Sequence, residues 1–350
     1  MNTQKKKWIT ILIIGLVIAM LCFFAHIINP FIHSVLIDHN IVMARDGLIV
    51  HFVSVGQGDA IAINLPDGKT MIIDAGKKEA SVTFSNYIDD YVLSRDRDHK
   101  IDYLILTHTD NDHVGGGLRL LEQYDIGTVY IPNLYDDSSD YQVLKDYLNS
   151  GEYNIMYHAD MTIANARYMI KMMGPVSESS TNNNCPLIKI SYMGYDFLFT
   201  GDIDSDTESV YVDMYASELD CDVLKVSHHG SKYSTSIDFL SITTPEYAII
   251  SCGKNNYGHP SDTVVDRLES LSVETMQTDT LGNIAMVVNE YGLNNVSGDY
   301  IISNVYDYWV YLLILYSSII LICGGKWLVE CIKLKMQKLN EDRANSCLDD

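Results

Sequence analysis

The residues best suited to chemistry fall in one short segment, Thr107-His108-Thr109-Asp110-Asn111-Asp112-His113. Within six positions it offers four potential metal ligands, His108, Asp110, Asp112 and His113. Imidazole and carboxylate groups suit Zn, Mn or Fe ions. A tight loop lets alternate side chains point into one site, so two ions could share it. The alternative is a solvated acidic loop in which Asp112 is the N-cap of a helix.

Three further polar segments each follow an apolar run. In Thr200-Gly201-Asp202, the carboxylate could bridge two cations. In Ser227-His228-His229-Gly230-Ser231, one histidine could bind metal and the other contact a substrate, because adjacent residues after a strand are expected to face different ways. The alternative is a pair of surface histidines. In Asn256-Tyr257-Gly258-His259-Pro260, the histidine could be a ligand, a substrate contact or a residue at a helix start.

Apolar, β-branched runs predict the strands that must position these segments. The main ones are Leu48–Val55, Ala60–Leu65, Thr70–Ile73, Ile101–Leu106, Ala166–Met173, Leu187–Tyr192, Tyr195–Thr200, Val223–Ser227 and Tyr247–Ser251. Helical patterns cover Val114–Tyr124, Ser205–Ala216, Thr235–Leu240 and Ser261–Leu268. Strands dominate first, and strands then alternate with helices. This order predicts an α/β fold of two sheets with helices outside, in one domain over residues 31–304.

Composition excludes several classes of protein. Of the 350 residues 47% are apolar and 20% charged, which is enough to bury a core. Acidic residues outnumber basic ones 46 to 24, and the net charge of −22 counts against a general nucleic-acid coat protein. It does not exclude an enzyme that meets a phosphodiester through metal ions. Between the ends, Cys185, Cys221 and Cys252 are well apart, so neither a disulfide framework nor a Cys-ligated zinc site is indicated.

Both ends of the chain carry long apolar runs. Trp8–Ile28 follows three lysines and has no formal charge, which predicts a transmembrane helix over 8–28. A cleaved signal peptide is the alternative, but Phe23 and Phe24 stand where small residues would be expected. A second helix is predicted over 308–332, with a buried C-terminal helix as its alternative. Basic residues outside both runs place the termini, 1–7 and 333–350, in the cytoplasm and the middle outside the membrane.

The motifs together resemble a known family. Phe52-Val53-Ser54-Val55-Gly56-Gln57-Gly58-Asp59-Ala60, Ile72-Ile73-Asp74-Ala75-Gly76 and the His108–His113 loop are similar to the metallo-β-lactamase superfamily. More narrowly, they resemble the metallo-β-lactamase-like domain of the ComEC family of DNA-uptake proteins. That branch has Asp where many relatives have the second His of an HxHxDH motif, and position 110 of this chain is Asp. The resemblance implies an αββα sandwich, here flanked by one transmembrane helix at each end.

The resemblance also implies a metal site. His108 and Asp110 would hold one ion, Asp112 and His113 the other, and Asp202 would bridge them. His228 would be the late histidine ligand, with His229 and His259 as contenders. The cofactors would be two divalent ions, Zn or else Mn. Many members also have a histidine where this chain offers Asn183, Asn184 and Cys185, which leaves the first ion short of ligands.

The function implied is a membrane-anchored hydrolase that cleaves phosphodiesters such as DNA outside the membrane, by a hydroxide that bridges two metals. Asp112 and His229 would be catalytic, while Asn184, Ser231 and His259 would contact substrate. The alternatives are hydrolysis of a cell-envelope phosphodiester or of a small ester or lactone, and a non-catalytic metal-binding surface module. ComEC proteins also have a multi-helix channel region. Two predicted spans do not supply one, so a separate DNA-uptake channel protein is an expected partner.

Overall fold

A computed structural model of the chain describes residues 47–93, 99–133, 138–177 and 180–296. The predicted terminal segments and membrane helices, over 1–7, 8–28, 308–332 and 333–350, lie outside these ranges. Within the described ranges, no helix has both the length and the apolar character needed to cross a membrane.

Eight strands of the described residues form a first sheet: β1 (Leu48–Phe52), β2 (Ala60–Asn64), β3 (Thr70–Ala75), β4 (Lys100–Ile105), β5 (Asp125–Ile131), β6 (Asn154–Tyr157), β14 (Ile284–Asn289) and β15 (Gly292–Asn295). Their spatial order is β15-β14-β1-β2-β3-β4-β5-β6. The pairs from β15 to β3 are antiparallel, and those from β3 to β6 are parallel.

Seven strands of the described residues form a second sheet: β7 (Met161–Ala164), β8 (Tyr168–Met173), β9 (Leu187–Tyr192), β10 (Tyr195–Phe199), β11 (Val223–Lys225), β12 (Tyr247–Ile250) and β13 (Glu274–Gln277). Their spatial order is β13-β12-β11-β10-β9-β8-β7. The strands from β10 to β13 pair in parallel, and those from β7 to β10 pair antiparallel.

The α-helices of the described residues are α1 (Ser81–Tyr87), α2 (Asn111–Val114), α3 (Gly117–Gln123), α4 (Ser139–Ser150), α5 (Ser205–Tyr215), α6 (Ile237–Thr243), α7 (Asp262–Ser270) and α8 (Thr278–Leu281). Several begin with a side-chain cap of the first backbone amides. Asp204, Ser236 and Ser261 cap α5, α6 and α7 in this way.

Three apolar clusters define the layers. The central cluster joins the inner faces of both sheets, where the rings of Phe52 and Phe199 lie 6.2 Å apart. A second cluster packs α1, α3 and α4 on the outer face of the first sheet through residues such as Phe84, Leu120 and Leu144. A third packs α5, α6 and α7 on the second sheet. The layers are therefore helix, sheet, sheet, helix, which confirms the predicted αββα sandwich.

Two details differ from the sequence patterns. The helix predicted over Val114–Tyr124 is broken into α2 and α3 at Gly115 and Gly116. A Cβ on Gly116 would lie 2.2 Å from the carbonyl oxygen of Ala75, so the glycine lets this turn approach the end of β3 closely. In addition, the patterns did not predict the elements of residues 125–165, which are β5, α4, β6 and β7, nor α1, α8 and β15.

Candidate metal centre

The polar segments meet where parallel strands end. The His108–His113 loop follows β4 in the first sheet, while Asp202 and the His228–His229 pair follow β10 and β11 in the second. Carboxyl ends of parallel strands lie at one edge of a sheet, which is where ligand sites of α/β proteins form. The site is therefore built from both sheets.

Asp74, near the end of β3, orients the loop that follows β4. Its carboxylate accepts hydrogen bonds from the backbone N and the hydroxyl of Thr107, both at 2.7 Å, and from Nδ1 of His113 at 2.8 Å. Asp74 and His113 are fully buried. Because Nδ1 of His113 is bound to Asp74, its Nε2 faces Asp202, whose Oδ2 lies 3.3 Å away.

Thr107 fixes the neighbouring ring of His108. Its hydroxyl proton is donated to Asp74, so its oxygen accepts a bond from Nδ1 of His108 at 3.1 Å. Nε2 of His108 then faces the carboxylates of Asp110, at 3.8 Å, and Asp202, at 4.0 Å.

An unusual backbone brings the paired histidines into the same site. His228 and His229 have φ of 49° and 52°, the left-handed region that non-glycine residues seldom adopt. Nδ1 of His229 donates to the carbonyl of Ser251 at 2.9 Å. Nε2 of His229 and of His228 lie 3.4 and 3.8 Å from Oδ2 of Asp202. Both rings thus face one carboxylate, contrary to the expectation that adjacent histidines diverge.

The three buried histidines of the site share one pattern of hydrogen bonding. In His108, His113 and His229, Nδ1 is bound to a protein oxygen, while Nε2 is buried and has no hydrogen-bond partner among the described residues. Oδ1 of Asp202 is likewise buried and unpartnered there. Buried polar atoms are normally satisfied, and metal-bound histidines typically donate their other nitrogen to a protein oxygen. This donor set fits a divalent metal ion.

Charge balance supports the same conclusion. Burial alone would lower the pKa of His229, but Asp202, Asp112 and Asp59 raise it to about 9. Burial would raise the pKa of Asp202, but the nearby rings of His229 and His113 hold it well below its usual range. Burial and His113 together lower the pKa of His108 to about 4. Without metal, protons on the histidines balance the carboxylates, and a divalent cation can replace those protons.

A buried ion pair lies behind the histidines. Oδ2 of Asp59 is 2.8 Å from Nζ of Lys225, and both side chains are at most 2% exposed. Asp59, His113, Asp202 and His229 each offer a ligand atom within 4.8 Å of the others. However, Oδ1 of Asp59 faces Nδ1 of His229 at 3.3 Å, on the opposite side of the ring from Nε2. Asp59 therefore contacts the Nδ1 side of the His229 ring, opposite to the Nε2 that faces Asp202.

The comparison with protein families decides the affiliation. Residues 53–254 match the family model described as "Metallo-beta-lactamase superfamily". The chain belongs to this superfamily. The matched range contains Asp59, the His108–His113 loop, Asp202 and the paired histidines, so it includes the site described above.

The curated relatives that match this metallo-β-lactamase chain include proteins of the ComEC family, in line with the predicted resemblance. "ComE operon protein 3" of Bacillus subtilis (strain 168) is 28% identical over 274 residues, which cover 74% of this chain and 34% of the relative. "Competence protein ComA" of Neisseria gonorrhoeae is 25% identical over 197 residues, covering 55% of this chain and 26% of the relative. The chain spans about a third or less of the length of these relatives.

Solved structures of the same fold are also similar. The metallo-β-lactamase fold protein YhfI from Bacillus subtilis matches with a TM-score of 0.46 and 12% identity, over 69% of this chain and 99% of that protein.

The predicted metal ligands lie around Asp202. Its Oδ2 is within 4.0 Å of Nε2 of His108, His113, His228 and His229. Oδ2 of Asp112 lies 3.6 Å from Nε2 of His229. Asp110 is more peripheral, because its Oδ1 accepts from the hydroxyl of Thr181 at 3.0 Å while its Oδ2 faces His108.

The residues predicted to contact substrate are more scattered. The ring of His259 lies 5.3 Å from that of His228, at the outer side of the site. Ser231 is buried, and its hydroxyl accepts from the backbone N of Tyr233 at 3.4 Å. Asn184 is also buried and donates its amide to the carbonyl of Ser177 at 3.2 Å. Their roles toward a substrate stay predictions.

Several residues of the site were given no role in the sequence analysis. Asp59 and Asp74 stand inside the motifs that carry the family resemblance, and Thr107 directly precedes the His108–His113 loop. Lys225 is a charged residue inside the apolar run Val223–Val226, and it is fully buried. A charged side chain in a buried apolar strand needs a buried partner of opposite charge. The position of Lys225 therefore indicates a buried carboxylate, which the structure identifies as Asp59.

Proposed function

We propose that this chain is a metal-dependent phosphodiesterase that cleaves DNA. The observation that carries the proposal is the convergence of three oriented imidazole nitrogens and Asp202 on one buried point, beside more accessible groups. The side chains of His113, Asp202 and His229 are at most 3% exposed, while those of Asp112, His228 and Asp110 are 23%, 33% and 38% exposed. The buried groups can hold metal, and the exposed groups can face a substrate.

The geometry supports a two-ion assignment. His108, Asp110 and Asp202 would hold the first ion. Asp112, His113, His229 and Asp202 would hold the second. His229 fits the late ligand position better than His228, because its Nε2 is closer to Asp202 and its ring is fixed by Ser251. His228 would then face the substrate, which exchanges the roles first expected for the two histidines.

The protein's own groups have distinct tasks in this proposal. Bound metal ions would supply Lewis acidity and lower the pKa of water at the site. Burial would raise the pKa of Asp112, but the rings of His229 and His113 lower it to about 2. Asp112 is therefore ionised at neutral pH and can accept a hydrogen bond from attacking water. His228, at the exposed side, can donate a hydrogen bond to a phosphate oxygen or protonate the leaving group.

The names of the relatives support DNA as the substrate. Two of them are "ComE operon protein 3" and "Competence protein ComA", and competence is the uptake of DNA. A two-metal site is a recurrent solution to phosphodiester cleavage. Because one of these relatives is a competence protein by name, we also propose that the chain acts with a separate DNA-uptake channel protein.

We also propose that the domain lies outside the membrane, anchored by helices over 8–28 and 308–332, with both termini cytoplasmic. The lysines before the first apolar run and after the second support this orientation. A reporter enzyme that is active only outside the cytoplasm, fused after residue 200, should be active. Activity of a cytoplasm-specific reporter at that position would contradict the topology.

The activity is tested with the purified full chain. Hydrolysis of bis(p-nitrophenyl) phosphate and of single-stranded DNA is measured with Zn²⁺ or Mn²⁺. We expect metal-dependent cleavage of both, reduced by at least about 100-fold in Asp112→Asn. Asp206→Asn is the matched control, because Asp206 is exposed on α5, and it should retain the wild-type rate.

Other outcomes would favour the alternative functions. Cleavage of a small ester or lactone, or of an envelope phosphodiester, without cleavage of DNA would keep the enzyme and change the substrate. Bound metal with no turnover of any of these compounds would identify a non-catalytic metal-binding module. Full activity of Asp112→Asn would contradict the assignment of the site itself.

A further inference from the structure

Two loops beside the metal centre carry exposed aromatic and basic side chains. The exposed residues are Lys232 and Tyr233 in the segment 231–233 and Lys254 and Tyr257 in the segment 253–261, which also contains the half-buried His259. We call these five residues the aromatic rim. The two loops are joined, because the backbone N of Ser261 donates to the carbonyl of Gly230 at 2.9 Å.

A row of rings leads from the buried site to the rim. The centroids of His229 and His228 are 6.2 Å apart, those of His228 and His259 are 5.3 Å apart, and those of His259 and Tyr257 are 5.8 Å apart. His229 is buried, and Tyr257 at the other end is 74% exposed. The rings of Tyr257, His259 and His228 would therefore lie between a planar group bound on Tyr257 and the buried His229.

The position of Tyr257 is set by its loop. Oδ1 of Asn255 accepts from the backbone N of Tyr257, Gly258 and His259 at 3.0, 3.0 and 3.2 Å. The amide of Asn255 donates to the carbonyl of Gly253 at 2.8 Å. The side-chain amide of Asn255 thus holds the turn that presents the ring of Tyr257 to solvent. Little conformational entropy of the loop is therefore lost when a ligand stacks on that ring.

Charge at the rim differs from charge over the protein as a whole. The chain has a net charge of −22, which repels polyanions. Lys232 and Lys254 are both exposed at the rim, and Nζ of Lys232 lies 4.7 Å from the ring centroid of Tyr233. Lys254 and His259 line an open cleft of about 580 Å³. Asp262 also lines it, at the start of α7, so a phosphate would be bound at the lysine side.

We propose that the aromatic rim binds single-stranded DNA and delivers it to the metal centre. A base would stack on Tyr257, and neighbouring phosphates would pair with Lys254 and Lys232. Aromatic rings on a basic path are how single strands are bound without sequence preference. A duplex does not offer a free base face, so the rim would discriminate against it. This inference rests on the proposed function and narrows its substrate to single strands.

Binding is tested with the full chain and a fluorescent 12-nucleotide oligo(dT), by anisotropy in EDTA so that the strand is not cut. Tyr257→Ala should raise Kd by about tenfold, the loss expected for one stacked base. Tyr257→Phe, which keeps the ring, should bind as the wild type does. Tyr291→Ala is the matched control, because Tyr291 is 77% exposed on the turn between β14 and β15. Lys254→Ala should weaken binding and reduce its salt dependence.

The outcomes separate this inference from the proposed function. Unchanged affinity of Tyr257→Ala, an equal loss in Tyr291→Ala, or binding of a 12-base-pair duplex as tight as that of the single strand would each overturn it. Bound metal in Tyr257→Ala, measured by mass spectrometry, should equal that of the wild type and shows that the variant is folded. Failure of the wild type to hydrolyse bis(p-nitrophenyl) phosphate would contradict the phosphodiesterase, whatever the binding result.

Discussion

At the scale of single residues, the carboxylate of Asp74 holds two neighbouring residues of the site in place. It accepts two hydrogen bonds from Thr107 and one from His113. An amide in its place has only one acceptor oxygen and would point its NH₂ group at one of these donors. His113 would then lose the bond that keeps its Nε2 toward Asp202.

Asp74→Asn is therefore predicted to weaken metal binding by about 10- to 100-fold, as is usual when a group that orients a ligand is removed. Titration calorimetry with Zn²⁺ or Mn²⁺ measures the affinity. Asp213→Asn, at an exposed position of α5, should bind metal as the wild type does. Equal affinity of Asp74→Asn and the wild type would show that the hydrogen bond does not orient His113.

The Asp59–Lys225 ion pair is predicted to matter for stability. Lys225→Met leaves the buried carboxylate of Asp59 without its cation, which should reduce the free energy of unfolding by about 3–5 kcal/mol. Adding Asp59→Asn removes the unpaired charge and should recover much of that loss. Urea denaturation of the two variants measures the difference. A double variant as unstable as Lys225→Met would mean that the lysine acts by packing alone.

Protonation of the site predicts how stability depends on pH in EDTA. The folded-state pKa of His229 is raised from 6.5 to about 9, and that of His113 is also raised, because Asp202 and other carboxylates outweigh burial. A raised pKa stabilises the folded state below pH 6.5, and this contribution is lost as pH rises toward 9. Urea unfolding at pH 7.5, 8 and 9 should show falling stability, because the lowered pKa of His108 affects stability only below this window. Saturating metal should suppress the fall, and stability that rises over this window would contradict the account.

At the scale of elements, close backbone contacts hold the loops of the site together. Gly58 has φ of 140°, and a Cβ there would lie 2.4 Å from the carbonyl oxygen of Asp112. The backbone N of Asp59 donates to that same oxygen at 3.1 Å. The loop before β2 therefore fixes where the His108–His113 loop places Asp112.

Gly58→Ala is predicted to displace Asp112 and to lower both stability and metal affinity, the latter by at least about tenfold. Gly68→Ala is the control, because Gly68 also has a positive φ, of 88°, but no atom lies within 4 Å of a Cβ there. It should lose some stability through backbone strain and keep its metal affinity. Equal metal affinity in Gly58→Ala and the wild type would contradict the proposed contact.

Some strands and helices could be predicted from the sequence, and others could not. The strands that end at the site are mainly apolar runs, buried where they approach the site, and were predictable. The strands β6 and β7 are edge strands of different sheets, are largely exposed and have only four residues each, so their sequences carry a weak signal. In α4, by contrast, Tyr141, Leu144 and Leu148 are buried at helical spacing. This spacing is visible in the sequence, so the helix could have been predicted.

The site was predictable in its parts more than in its arrangement. The histidines and aspartates of the loops stand out by type and spacing. Which of His228 and His229 faces Asp202 more closely depends on two left-handed residues in succession, a conformation that no propensity of histidine predicts. The role of Asp59 depends on Lys225, a contact between residues 166 positions apart in sequence. Such pairing is decided by the packing of the two sheets.

At the scale of the whole molecule, the two sheets each supply half of the site. The first sheet contributes His108, Asp112 and His113, and the second contributes Asp202 and His229. Metal binding should therefore stabilise the packing of one sheet against the other, because ions that bind only the folded state shift the unfolding equilibrium. We propose that Asp202 and the three buried imidazoles form this shared centre.

The most direct test is the metal content and affinity of Asp202→Asn, measured by mass spectrometry and calorimetry on the full chain. We predict two divalent ions per chain in the wild type, and affinity reduced by at least about 100-fold in Asp202→Asn. Asp206→Asn, four residues along the same segment and exposed, should bind as the wild type does. Full metal content and unchanged affinity in Asp202→Asn would contradict the account.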